Sequence, residues 1–277
     1  MRSGGWPLRR LAPLLMLVLA LSGCARHAQP DAESTRPVER VLVVGNSLAY
    51  LNDLPAHLAA VATALRGAPV EAEMVAAGGR RIARHAADGV VLKEIASGRY
   101  RALVLQEWGG GLLCGEQQAR LGFDCAASQA AHRQLADAAQ ARGMRVVILG
   151  TPQAIPMIAD ALAEREAALA RALGAAHVDL RTLPARMRTQ PQAQWLEPDG
   201  HPGPDLTLWM AHDIARALYG DAPLSTPLEI AYRDYRQGAT PKADALASAQ
   251  DIAAQQRVRT IQAEDLARLT AQPPQSP

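Results

Sequence analysis

Aromatic residues are rare in this sequence: tryptophan, tyrosine and phenylalanine together make up 4% of its 277 residues, and phenylalanine occurs once. A hydrophobic core must therefore be built mainly from alanine, leucine, valine and isoleucine. The net charge is also small, because 29 lysines and arginines nearly balance 27 aspartates and glutamates. Since no basic surface with interleaved aromatic side chains is present, we do not expect nucleic acid as a partner.

Extremes of composition are absent as well. Hydrophobic residues make up 49% of the chain and charged residues 20%, which excludes a disordered or collagen-like chain. The length suits one large α/β domain or two smaller ones. The sequence contains no His-Glu-x-x-His, Cys-x-x-Cys or Gly-x-Gly-x-x-Gly motif. It therefore predicts neither a metal centre nor a dinucleotide site, and we expect no cofactor.

One apolar run stands out near the N-terminus, from Leu11 to Leu21, directly after Arg9 and Arg10. As a helix this run spans about 16 Å, roughly half of a bilayer core, so it is too short to cross a membrane. Positive residues followed by an apolar run of this length are typical of a secretory signal peptide. We therefore expect residues 1–23 to be a targeting segment outside the folded domain.

The end of this segment, Leu21-Ser22-Gly23-Cys24, resembles the lipobox of bacterial lipoproteins, whose cysteine is lipidated and becomes the mature N-terminus. The resemblance implies that acyl chains on Cys24 anchor the protein to a membrane. Ala25 follows, instead of the aspartate that retains lipoproteins in the inner membrane, so the expected location is the periplasmic face of the outer membrane. A soluble export signal with an incidental cysteine is the alternative.

Cysteine is scarce, and only Cys114 and Cys125 remain besides Cys24. Two thiols are too few for a zinc cluster, and a catalytic cysteine–histidine pair lacks supporting context. The predicted export route leads to an oxidising compartment, so we expect a disulfide between them. On the loop-entropy model it stabilises the fold by about 2–3 kcal/mol. Because this loop follows a predicted strand, we also expect it to form a wall or lid over the functional site.

The rest of the chain divides by composition. Residues 24–37 are polar and contain prolines, as in a linker that lifts a domain off a membrane. Residues 38–223 form the main predicted domain. Residues 224–277 are predicted to be a helical extension, with a surface helix from Lys242 to Leu269 and a disordered proline-rich end.

Within the predicted domain, short apolar runs alternate with segments of helical periodicity. The predicted strands cover 40–45, 70–75, 101–105, 145–149 and 177–180. The predicted helices cover 54–65, 82–96, 129–141, 158–173 and 205–218. This alternation predicts an α/β fold with a mostly parallel five-stranded sheet covered on both faces. In such a sheet, ligands bind beyond the carboxyl ends of the strands.

Four segments near those strand ends carry the groups that acyl transfer requires. The first strand runs into Gly45-Asn46-Ser47, the second into Gly78-Gly79, and the third into Gln106-Glu107. A fourth segment, Glu197 to Pro202, precedes the last predicted helix and contains Asp199 and His201. Together they supply a hydroxyl, backbone amides, an amide side chain and an acid–imidazole pair.

These segments resemble the SGNH (GDSL-like) hydrolases, a family of esterases and lipases with a three-layer flavodoxin-like fold. The resemblance covers about residues 38–223 and lies closest to the subgroup with Gly-Asn-Ser in its first block and Leu-Gln-Glu in its third. It implies that Ser47 is the nucleophile and His201 the general base. The Ser47 and Gly79 amides become oxyanion-hole donors, with Gly78 as the alternative register.

Two departures from the family pattern concern the oxyanion hole and the acid. The third block of the family usually supplies an asparagine, but both asparagines of this chain lie near the first block. The side-chain donor is therefore expected to be Gln106, or to be missing. Pro198 occupies the usual position of the acid, so Asp199 is the predicted acid. Glu197, or a backbone carbonyl in an acid-free dyad, is the alternative.

The sequence thus predicts a serine ester hydrolase of the cell envelope. The expected substrate is an O-acyl group on a glycan, with a lipid ester as the second choice. A lipoprotein that keeps this fold as a binding or assembly module after losing catalysis is the alternative function.

Overall fold

The computed structural model describes residues 36–115, 122, 124–224, 227–236, 240–250, 252 and 254–271. The predicted signal peptide, the lipidation site Cys24, nearly all of the linker and the proline-rich end lie outside these residues. In the described part of the chain, no helix combines the length and the apolar character needed to span a bilayer.

A five-stranded sheet forms the centre of the fold. Its strands are β1 Glu39–Gly45, β2 Val70–Ala76, β3 Ala102–Gln106, β4 Arg145–Leu149 and β5 Ala176–Val178. They are parallel and lie in the order β2-β1-β3-β4-β5. This is the flavodoxin-like order, so the predicted α/β fold class is confirmed. The order reverses between β1 and β3, which is where ligands bind in such sheets.

Helices cover both faces of this sheet. They are α1 Ser47–Tyr50, α2 Leu54–Arg66, α3 Ile82–Ala87, α4 Val90–Ala96, α5 Cys125–Gln140, α6 Pro156–Ala172, α7 Leu183–Thr189, α8 Pro204–Tyr219 and α9 Ala263–Thr270. Successive residues of β1 point to opposite faces. Val41 and Val43 pack in a core with α2 and α8, whereas Leu42 and Val44 pack in a second core with α3 to α6. The buried parts of β1, β3 and β4 are almost wholly apolar because both faces of the sheet are covered there.

The predicted helix over 82–96 is two helices in the structure, α3 and α4. They are separated at Gly89, which has a φ of 76°, a backbone conformation that glycine adopts without a steric penalty. The break shortens α3 to one and a half turns directly after the Gly78-Gly79 turn. Helix α7 was not predicted, since its short run of mixed residues shows no clear periodicity.

The predicted surface helix from Lys242 to Leu269 is wrong over most of its length. Among the described residues after 224, β6 Leu228–Asp234 and β7 Gln255–Ile261 form an antiparallel pair. The helical residues of this part are those of α9 and of a short 3₁₀ turn at Ala247–Ala249. Strand β6 alternates buried and exposed positions, and its inward side chains belong to the same core as α2 and α8. The inward face of β6 is thus packed against the helices that cover one face of the central sheet.

Candidate active site

Ser47 lies where β1 ends and the chain turns into α1. Asn46 is the N-cap of this helix: its Oδ1 accepts a hydrogen bond from the Leu48 N–H at 3.1 Å, and its Nδ2 donates to the Arg80 carbonyl at 3.2 Å. The capping fixes Ser47 at the first helical position, where backbone N–H groups have no acceptor within the helix. No described residue accepts a hydrogen bond from the Ser47 N–H, which leaves it available to a ligand.

His201 contacts this serine across 154 positions of the sequence: its Nε2 lies 3.0 Å from Ser47 Oγ. The ring is carried by a tight turn that precedes α8. Within the turn, the Gly200 N–H donates to the Glu197 carbonyl at 2.9 Å, and the Glu197 N–H donates to the His201 carbonyl at 2.8 Å. Gly200 has a φ of 84°, a backbone conformation that favours glycine.

Asp199 lies on the other side of the imidazole. Its Oδ2 is 3.0 Å from His201 Nδ1, and its Oδ1 accepts the His201 backbone N–H at 3.1 Å. The Nδ1 contact is an ion-pair distance without hydrogen-bond alignment, since no described group is aligned with Nδ1 as a hydrogen-bond partner. The backbone N–H of His201, followed by its ring, holds the pKa of Asp199 below its ordinary value. The Asp199 side chain is 66% exposed, so water weakens the pair.

The alternative acid, Glu197, has a different partner. Its carboxylate forms an ion pair with the Arg236 guanidinium, which follows β6. The geometry therefore brings Asp199, and not Glu197, to the imidazole.

Gly78 and Gly79 form the turn after β2, and no described residue accepts a hydrogen bond from the N–H of either. Gly79 has a φ of 62°, and a Cβ added to it would lie 3.8 Å from Trp108 Nε1. A Cβ at Gly78 would lie 3.3 Å from the Tyr50 hydroxyl. Both N–H groups are therefore available to an oxyanion. Gly79, the predicted donor, and Gly78, its alternative, both fit the structure.

Gln106, at the end of β3, is fully buried. Its Oε1 accepts the Asn46 N–H at 3.2 Å, and its Nε2 donates to the Glu107 carbonyl. Gly45 makes room for it, because a Cβ there would lie 2.8 Å from Gln106 Oε1. The contacts of Gln106 thus support the backbone that carries Ser47, and one of its two amide hydrogens is already engaged.

Glu107 is a buried carboxylate that the sequence reasoning did not assign. Its Oε1 accepts from the backbone N–H groups of Trp108 at 2.7 Å and Ile82 at 3.3 Å, and its Oε2 accepts from the Ser128 hydroxyl. It therefore joins β3, the start of α3 and the first turn of α5. A charged residue inside an apolar strand end, Leu105-Gln106-Glu107, is the signal that could have identified it.

His85 supports the same strand end from α3. Its Nε2 lies 2.8 Å from the Gly45 carbonyl, and burial lowers its pKa to about 4. The ring is therefore neutral at pH 7 and donates Nε2–H to Gly45.

The predicted disulfide between Cys114 and Cys125 is present, with 5.3 Å between the Cα atoms. Cys125 is the first residue of α5, so the bond ties the loop after β3 to this helix. Gly122 in the loop accepts a hydrogen bond from Arg81 Nη1 at 2.6 Å, and the Arg81 guanidinium lies over the Trp108 ring. The loop therefore contacts the segment that follows Gly79.

The arrangement has the parts of a serine-based acyl-transfer site: a hydroxyl on an imidazole, an adjoining carboxylate and open backbone amides. Among the described residues, no three His, Cys, Asp or Glu side chains converge as metal ligands.

No family model and no curated protein matches the sequence. Among solved structures, the chain is similar to a gut microbial diltiazem-metabolizing enzyme, with a TM-score of 0.50 and 15% identity over 66% of this chain and 47% of that one. The chain thus spans about half of that enzyme. At this identity the likeness shows the fold.

Two further similar structures are smaller proteins. TesA is 21% identical with a TM-score of 0.47, over 65% of this chain and 98% of that one. The acetylxylan esterase Axe2 from Geobacillus stearothermophilus is 15% identical with a TM-score of 0.49, over 68% of this chain and 97% of that one.

Proposed function

We propose that the protein is a serine ester hydrolase that works through an acyl-enzyme. The observation that carries this proposal is the 3.0 Å contact between Ser47 Oγ and His201 Nε2. This contact lies beside the point between β1 and β3 where the strand order reverses. It is also next to backbone N–H groups from which no described residue accepts a hydrogen bond. The resemblance of the four segments to SGNH hydrolases supports the same chemistry.

In this mechanism, His201 carries its proton on Nδ1, facing Asp199, so that Nε2 is free to accept the Ser47 proton. The Ser47 oxygen attacks the ester carbonyl and forms a tetrahedral intermediate. The Ser47 N–H and the Gly79 N–H, or the Gly78 N–H in the alternative register, stabilise its oxyanion. His201 then gives the proton to the leaving alcohol, which breaks the C–O bond and leaves Ser47 acylated.

Water completes the cycle. It enters the site vacated by the alcohol, gives its proton to His201 Nε2 and attacks the acyl carbonyl. The second tetrahedral intermediate collapses, the proton returns to Ser47, and the acid is released. These steps need no group beyond the chain's own residues and water.

Esters suit this site better than amides. The exposed carboxylate of Asp199 stabilises the imidazolium that forms in the transition state less than a buried one would, so the site suits acyl groups that react readily. An alcohol leaves without strong protonation, whereas an amine requires it. As the natural substrate we propose an O-acyl group on an envelope glycan, with a lipid ester second. The lipobox resemblance at Cys24 supports an envelope location.

Hydrolysis of p-nitrophenyl acetate tests the proposal. We expect turnover by the wild-type protein and a loss of about 10³-fold or more in Ser47→Ala. Ser97→Ala, an exposed serine at the end of α4, is the matched control and should retain full activity. Turnover that survives Ser47→Ala would contradict the proposal, and a complete absence of turnover in the folded wild type would favour the binding module.

A further inference from the structure

Given the proposed function, the orientation of His201 needs a source other than Asp199. The Asp199 carboxylate is 66% exposed and its contact with Nδ1 is not aligned as a hydrogen bond. A carboxylate in water-like surroundings restrains a ring only weakly. Residues 197–202, which we call the histidine loop, must therefore be held by other contacts.

One contact comes from the nucleophile side. Asn52, five residues after Ser47, is 3% exposed, and its Nδ2 donates to the Pro202 carbonyl at 2.5 Å. Pro202 directly follows His201. The hydrogen bond thus joins the segment that carries Ser47 to the segment that carries His201. It therefore restrains the distance between the two side chains.

The other contact comes from the C-terminal region. The Arg236 guanidinium donates from Nε to Asp234 Oδ1 at 2.9 Å and from Nη2 to Asp234 Oδ2 at 2.7 Å. Asp234 is buried, and these bonds with Arg236 lower its pKa to about 2. Arg257 Nε also donates to Asp234, at 2.9 Å. Arg236 is therefore held by a bidentate pair with the last residue of β6.

The third nitrogen of this guanidinium, Nη1, donates to Glu197 Oε1 in the histidine loop. From Glu197 the restraint reaches the catalytic ring through the loop's own backbone, because the Glu197 N–H bonds the His201 carbonyl at 2.8 Å. Arg236 spans two carboxylates at once, which only a guanidinium's forked donors allow.

We propose that Asn52 and Arg236 are positioning residues that hold the histidine loop from two sides and thereby set the Ser47–His201 contact. The C-terminal β6–β7 pair is then part of the catalytic apparatus and not an appendage. A displacement of about 1 Å at a reacting group can cost about 10²-fold in rate, so loosening either contact should lower kcat.

A double-mutant cycle between Glu197 and Arg236 tests this proposal. Glu197→Gln and Arg236→Gln should each lower kcat for p-nitrophenyl acetate about tenfold, with KM unchanged within about twofold. The double variant should be no slower than the slower single variant, since each change abolishes the same charge-assisted contact between Glu197 and Arg236. Asn52→Ala should show a similar fall in kcat that adds to theirs. Asp221→Asn, which breaks the exposed Arg216–Asp221 ion pair, is the matched control and should not change kcat.

Arg236→Lys separates positioning from a purely structural role. A lysine can neutralise Asp234 but cannot bridge both carboxylates. We expect it to restore the thermal midpoint of the wild type while kcat stays low, whereas recovery of both would contradict the proposal. If Arg236→Gln fails to fold, Glu197→Gln decides, because it leaves the Arg236–Asp234 pair intact.

Wild-type kcat in both Glu197→Gln and Asn52→Ala would overturn the inference and leave the proposed function standing. A wild type without Ser47-dependent turnover would overturn both.

Discussion

Asn46 and Gln106 are joined by a hydrogen bond from the Asn46 N–H to Gln106 Oε1, 3.2 Å long, across the boundary between β1 and β3. This bond fixes the backbone one residue before Ser47 against the neighbouring strand. Gln106 is fully buried, so the support is rigid and shielded from water. Ser47 therefore lies on a fixed backbone, whereas His201, which faces it, lies on a surface loop.

The exposure of Asp199 leads to a prediction about its contribution. Asp199→Asn should lower kcat by about 10- to 100-fold with little change in KM, less than the roughly 10⁴-fold loss known for a buried triad aspartate. The reason is that water screens the carboxylate, which is 66% exposed. Steady-state kinetics with p-nitrophenyl acetate measure the effect. An unchanged kcat would show that the contacts of the histidine loop orient His201 without the Asp199 carboxylate.

Glu107 should matter for stability in a way that depends on the replacement. Glu107→Ala takes the acceptor from two buried donors, the Ile82 N–H and the Ser128 hydroxyl, so we expect a loss of about 3–5 kcal/mol in the free energy of unfolding. Glu107→Gln keeps an oxygen for the Ile82 and Trp108 N–H groups and should cost about 1–2 kcal/mol. Urea unfolding measures both. Glu229→Ala, at an exposed position of β6, is the control and should change stability by less than about 0.5 kcal/mol.

Two buried histidines should make the fold sensitive to acid. Burial lowers the pKa values of His57 and His85 to about 4, whereas the unfolded chain binds these protons near the ordinary value of 6.5. Between about pH 6.5 and pH 4 the unfolded state binds more protons, so stability falls as the pH is lowered through that window. Each ring should contribute a loss of about 2 kcal/mol between pH 7 and pH 5.

Urea unfolding at the two pH values measures this loss. His85→Gln keeps a donor for the Gly45 carbonyl but does not titrate, so it should remove about half of the effect assigned to the two rings. The same pH dependence in His85→Gln as in the wild type would contradict the assignment.

The disulfide should influence substrate binding more than folding. Opening a loop of this length should cost about 3 kcal/mol, less than the usual stability of a domain of this size. The reduced protein therefore stays folded. Because the loop contacts Arg81 near the Gly79 turn, we expect KM for bulky esters to rise several-fold on reduction while kcat changes little. Equal KM values with and without dithiothreitol would show that the loop does not border the substrate.

The sequence patterns predicted the central sheet because a strand buried on both faces leaves a continuous apolar run, as in Val41 to Val44. The C-terminal strands escaped prediction for the opposite reason. Strand β7 is largely polar and forms only through pairing with β6, which no local pattern reveals. In the site, Ser47 and Gly79 could be predicted because each follows shortly after the end of a strand of the sheet.

The contacts that hold those residues were not predictable. Arg236 and Glu197 are 39 positions apart, and the chain offers many other arginines. Nothing in the sequence selects this pair, because its geometry depends on how β6 packs against α2 and α8. The same holds for Asn52, since asparagine is common in turns and only the structure shows its hydrogen bond to the Pro202 carbonyl.

The central claim is that Ser47 is a nucleophile activated by His201, and labelling with a fluorophosphonate probe tests it most directly. We expect the folded wild-type protein to gain one probe, with the modified peptide containing Ser47. Ser47→Ala should stay unlabelled, and His201→Ala should label far more slowly, each with a thermal midpoint near that of the wild type. A folded wild type that takes up no probe, or a Ser47→Ala variant that labels like the wild type, would contradict the account.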